Sequence, residues 1–139
     1  MRVHIVLRKL RICARWWFAG VFAMPRANGF QTKARRQAHF ADHGGDFGNC
    51  TIVEYEQMAD HFLTEPLRAG VIECRRRSSG ALIRYDQTTG AFGILSTDGI
   101  IRTYFKPIPY WRIPPGYVLP GNCHGHLDNV AYFHAECAR

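Results

Sequence analysis

Two histidines four residues apart, His39 and His43, stand directly before the glycine pair Gly44-Gly45. If the residues before the break are helical, both imidazoles lie on one face, about 40° and one turn apart. An imidazole titrates at about pH 6.5, so such a pair can offer one base and one acid at neutral pH. Two other clusters supply cations and hydroxyls. Arg75-Arg76-Arg77 ends one apolar run, and Arg102-Thr103-Tyr104-Phe105-Lys106 ends another. Cleavage of RNA without a metal needs this combination. A base takes the 2′-hydroxyl proton, an acid protonates the departing 5′-oxygen, and cations or hydroxyl donors stabilise the crowded phosphate. Aromatic rings can stack on splayed bases.

A histidine pair at this spacing also suits zinc, but the glutamate of the zinc-protease motif is missing, because Phe40 stands in its place. A second set, Cys123-His124-x-His126 with His134-x-x-Cys137, is a zinc alternative whose spacing matches no finger. Each cluster also has a bland reading. The histidines can be solvated helix residues or caps over Phe40 and Phe47, Arg75–Arg77 an exposed strand end, and His134 a core residue of an apolar stripe.

The elements that would carry these groups can be read from periodicity. Thr32 to His43 forms a first helix, with Thr32 as N-cap and Gly44-Gly45 as its stop. Thr51 and Glu54 make a capping box for a second helix, whose Tyr55, Met58, Ala59, Phe62 and Leu63 recur as one buried stripe. Pro66 ends it. Short β segments follow at 71–77, 81–86, 91–96 and 100–106, joined by hairpin-length turns, which implies an antiparallel meander. Alternation sends Arg76 to one face and Arg75 and Arg77 to the other. Prolines 107, 109, 114, 115 and 120 break regular structure until about His126. A last helix runs from about Leu127 to Ala138. Helices followed by a sheet give an α+β domain, with the N-terminal helices packed on one face of a four-stranded antiparallel meander plus a C-terminal helix. The other face is expected to be open for a ligand.

At 139 residues, with 13% aromatics, the chain fits one globular domain. The net charge of +7 is unevenly spread. Residues 1–36 hold nine Lys/Arg and no Asp/Glu, whereas 37–139 hold nine against eleven. A nucleic-acid partner would therefore have to be held by local clusters. Residues 1–30 read as a leader or linker, and 31–139 as the domain. Charged residues and then Trp16–Met24 resemble a short signal peptide, without a clean cleavage site; a membrane-surface anchor, a linker and an upstream extension remain alternatives. No apolar run approaches the roughly 20 residues of a membrane span. Five cysteines without a CxxC pair indicate no disulfide framework, and a Cys123–Cys137 bridge is left open.

In order along the chain stand His39-Phe40-x-x-His43-Gly44-x-x-Phe47-Gly48, Glu54-Tyr55-x-x-x-Ala59, an arginine-bearing strand, Tyr85-Asp86-x-x-Thr89, Phe92-Gly93, and Asp98-Gly99-x-Ile101-x-Thr103-x-Phe105-Lys106-Pro107. This series resembles the C-terminal ribonuclease domains of bacterial polymorphic and contact-dependent toxins and pyocin-like proteins, of the barnase–EndoU–colicin–RelE-like superfamily. The resemblance spans about residues 37–107; Tyr110–His126 looks like an insertion that would shape specificity or lie over the cleft.

The resemblance implies a metal-independent endoribonuclease that needs no cofactor and cuts tRNA or other RNA. It also implies a cognate immunity protein in the producer, a monomer, and a secreted or delivered effector acting in the target-cell cytoplasm. His39 and His43 match the helix-borne histidines, Arg75 or Arg76 the basic strand position, and Thr103 and Lys106 the polar end of the last strand. His39, His43, Arg75, Thr103 and Lys106 are thus the expected catalytic residues, and Arg76, Arg77, Tyr85, Arg102 and Tyr104 the expected RNA-binding ones. Thr103 alternates with Ile101 and Phe105, and if that side is core, Arg102, Tyr104 and Lys106 occupy the active face instead. The alternatives from other classes are a non-catalytic RNA- or protein-binding module of the same fold and a zinc-stabilised interaction domain.

Overall fold

The computed structural model describes residues 27–139, so the readings of the leader lie, up to residue 26, outside the described residues. Residues 27–30, grouped with the leader on sequence grounds, belong to the fold. The Ala27 amide donates to Asp60 Oδ1 (2.8 Å), the Asn28 amide to the Gly99 carbonyl (2.8 Å), and Phe30 is buried beside Ile101.

Helix α1 (Lys33–His43) starts at Thr32, whose hydroxyl accepts from the Arg35 amide (3.1 Å). The glycine pair does not stop the chain in a left-handed cap. Gly44 is right-handed (φ −56°) and the chain runs on as a 3-10 turn over Gly44–Phe47. The left-handed residue is Gly48 (φ 93°). Gly44 is needed for closeness instead, because a Cβ there would lie 2.5 Å from the Phe40 ring. Helix α2 (Ile52–Thr64) carries both bonds of the expected capping box. Tyr55, Ala59, Phe62 and Leu63 are buried from its stripe.

Strands β1 (Val71–Arg75), β2 (Leu82–Asp86), β3 (Phe92–Leu95) and β4 (Ile101–Phe105) form one antiparallel sheet in sequence order. The expected α+β architecture is present. Strand β1 ends at Arg75, so Arg76 and Arg77 lie in the turn. Two-residue strands β5 (Ile108–Pro109) and β6 (Cys123–His124) pair in parallel beyond β4, within the segment read as irregular. Helix α3 (Asn129–Ala138) starts at Asp128, which caps it through the Ala131 amide (2.7 Å).

The sheet is covered on both faces, which corrects the expected open face. On one, Tyr55, Ala59, Phe62 and Leu63 pack on Ala91, Ile101 and Tyr104. On the other, Phe133 of α3 packs with Ala81, Ile83, Tyr85, Phe92, Ile94 and Phe105. All five residues of β2 are buried as a result.

Cys137 pairs with Cys74 (Cα–Cα 6.1 Å), not Cys123, and so joins α3 to β1. An ion pair from Arg76 to the buried Glu136 and a bond from the Arg77 amide to the Cys137 carbonyl (2.9 Å) reinforce that junction.

Candidate active site

Helix α1 lies along strand β4, the sheet edge remote from β1. Its turn spacing aims two imidazoles at that strand. The His39 ring stacks on Phe30 at 5.2 Å between centroids, and the His43 ring lies 5.2 Å from Phe105. The two imidazoles are 5.9 Å apart. Nδ1 of each is buried without a hydrogen-bond partner, which leaves Nε2 as the nitrogen able to exchange a proton with a substrate. A buried polar atom left unpaired costs about 1–3 kcal/mol, and such atoms concentrate where a fold serves something besides stability.

His39 borders a cleft of about 100 Å³ with Phe30, Gln31, Arg35, Ile101 and Arg102. Two arginines, Arg35 and Arg102, therefore line the same small cleft as His39. The His39 pKa is lowered. Burial lowers it most, His43 adds to the effect, Asp42 opposes it, and Arg35 gives a smaller push downward. The ring is thus held neutral near pH 7, the form that accepts a proton.

Of the other residues singled out from sequence, Arg102, Thr103 and Lys106 share β4 and its end with this site. Thr103 is half-buried and lies on the face that carries Ile94 and Phe105. The Lys106 ammonium sits over the Phe47 ring at 5.3 Å, and its amide donates to Asp46 Oδ2 (3.3 Å). Lys106 follows Phe105, the residue against which His43 packs, and Arg102 lines the cleft beside His39.

The Arg75–Arg77 cluster is elsewhere. It lies on and beyond β1, three strands from β4, about 14 Å away at ordinary strand spacing. Arg75 donates to the Gly80 carbonyl (3.4 Å) and Arg76 holds Glu136, so the charge run serves the hairpin and the α3 junction.

Tyr85 and Tyr104 are core residues. Tyr104 stacks on Phe47 at 4.2 Å, and its carbonyl accepts from the Tyr55 hydroxyl. Neither ring presents a face to a base.

Zinc loses its second ligand set, because Cys137 is spent in the disulfide and His134 points to solvent from α3. Among the described residues no group of three or more His, Cys, Asp or Glu is arranged to hold a metal.

Sequence reasoning missed Phe30, Gln31 and Arg35. The signal for Arg35 was present, since it precedes His39 by four residues and shares its helix face. Phe30 was hidden by the boundary drawn at residue 30, and Gln31, though inside it, carries no spacing signal of its own. No protein-family model matches the chain, and no curated protein matches it in sequence.

Proposed function

We propose that this domain is a metal-independent endoribonuclease toxin domain acting on tRNA or another RNA. The observation that supports this most is the pair of half-buried imidazoles, His39 and His43, beside a cleft flanked by Arg35 and Arg102. His39, kept neutral, takes the proton of a ribose 2′-hydroxyl. The freed 2′-oxygen attacks the adjacent phosphorus, the P–O5′ bond breaks, and the leaving 5′-oxygen takes a proton from His43. Arg35 and Arg102 carry the charge that builds up on the non-bridging oxygens. The products are a 2′,3′-cyclic phosphate and a 5′-hydroxyl.

The biological setting follows the same reading: a delivered effector acting in the cytoplasm of a target cell, restrained in its producer by a dedicated inhibitor protein. The Cys74–Cys137 disulfide supports passage through an oxidising compartment. No helix among the described residues is long and apolar enough to cross a membrane.

The test is to incubate purified protein with total tRNA in EDTA and analyse the new ends. Cyclic phosphate and 5′-hydroxyl termini are expected. RNA binding with no cleavage would leave a binding module in place of an enzyme, and activity abolished by EDTA would contradict the mechanism.

A further inference from the structure

Four of the described histidines line a single row of rings that crosses β4. From α1 the row runs through His39 and His43 to Phe105, on to Tyr132 of α3 (6.5 Å from Phe105), and then to His124 and His126. The proposed mechanism uses only the first two.

His124 is fully engaged. Asn129 Nδ2 donates to the Pro107 carbonyl (3.0 Å), so its Oδ1 faces His124 Nε2 (2.8 Å) and must accept from it. The His126 amide donates to His124 Nδ1 (3.2 Å). Together these bonds make His124 Nε2 a donor and Nδ1 an acceptor, with both nitrogens occupied. Its ring also stacks on Tyr132 at 4.5 Å and 10°. A histidine so placed positions something and transfers no proton.

What it positions is His126. That residue is exposed, and its ring lies 5.7 Å from both His124 and Tyr132. Its backbone is tied through His124 and Asn129 to Pro107, the residue after Lys106. Tyr132, which supports the assembly, is closed to substrate: it packs on Phe92 at 5.1 Å, and burial, then Glu136, pushes its pKa up to about 12.

We infer that His126 is a substrate-contact residue, fixed by His124 and Asn129 on the far side of Phe105 from His43, where it takes a phosphate of the RNA strand beyond the scissile one. This rests on RNA being the ligand of the α1–β4 site, but not on cleavage there. The segment Tyr110–His126 thereby acquires a purpose: it carries one imidazole back to the strand that holds the others. RNA reaching His126 must extend past the His39 cleft, so the contribution must grow with oligonucleotide length.

The experiment is fluorescence anisotropy with 2′-deoxy-substituted oligonucleotides, which bind without being cut, in a series from dinucleotide to octanucleotide. His126→Ala should weaken octanucleotide binding about ten-fold and leave dinucleotide binding unchanged. His126→Lys, which again places a nitrogen donor there, should recover the loss, and Asn129→Ala should reproduce part of it. Cleavage by the same variants should show a raised KM on long RNA with kcat unchanged. If wild type binds the series but cuts no RNA, the length-dependent His126 effect still stands and only the proton-transfer reading fails. Equal affinities of wild type and His126→Ala at every length, or no RNA binding by wild type, would overturn the inference.

Discussion

His39 and His43 lie 5.9 Å apart on one face of α1, each with a buried, unpartnered Nδ1. Strand β4 and the segment bridged to it hold them there. Phe30 beside Ile101 braces the first ring and Phe105 the second, so the strand that ends the meander also aligns the imidazoles.

The lowered His39 pKa has consequences for both rate and stability. Its basic form should persist below the ordinary titration range, so the acid limb of kcat/KM should have its midpoint below pH 6.5. Below about pH 6.5 the unfolded chain takes up a proton that native His39 refuses. Stability therefore falls as pH drops from that value towards the lower folded pKa, and is unaffected above it. Urea melts across pH 5–7.5 should show wild type losing stability towards the acid end by an increment that His39→Gln does not lose.

The two arginine clusters should separate cleanly. Arg102→Ala should lower kcat/KM by about a hundred-fold with little change in Tm, because it removes a phosphate donor at the cleft. Arg76→Ala should leave cleavage intact and cost about 2–3 kcal/mol in urea denaturation, because Glu136 keeps only Arg139 (3.0 Å) as an ion partner.

That contrast also marks how much was legible. Helix α2 and the meander were readable because the Thr51–Glu54 box and the short turns act locally. The position of Arg76 was not, because strand alternation says nothing of which helix will arrive. The covered second face had left a trace. In Ala81-Leu82-Ile83-Arg84-Tyr85 the apolar residues do not alternate, as expected of a strand buried on both sides. Cys137 could not be paired from spacing alone, since its partner Cys74 is 63 residues away and the pairing depends on how α3 docks on the sheet. The candidate site was half legible: its proposed members lie together on α1 and β4, whereas the β1 arginines lie apart from them.

Removing the disulfide should cost on the order of 2–4 kcal/mol, given the long loop it closes. Cys74→Ser and Cys137→Ser should each lower Tm, and reduction of wild type should lower it similarly. Alkylation before and after reduction should change the reactivity of these two cysteines and not of Cys50 or Cys123, which form no disulfide.

Gly44→Ala should be disproportionately harmful for a methyl group. The added carbon would meet the Phe40 ring at 2.5 Å and force apart the turn that follows His43. A loss of about 1–3 kcal/mol is expected in thermal unfolding, together with a fall in activity.

The most direct measurement is single-turnover cleavage of tRNA in EDTA by wild type and His39→Ala at matched folded fraction. Loss of about a hundred-fold to ten-thousand-fold in rate with His39→Ala is the predicted result. Cleavage by His39→Ala at the wild-type rate would contradict the assignment of the α1–β4 imidazole as the base.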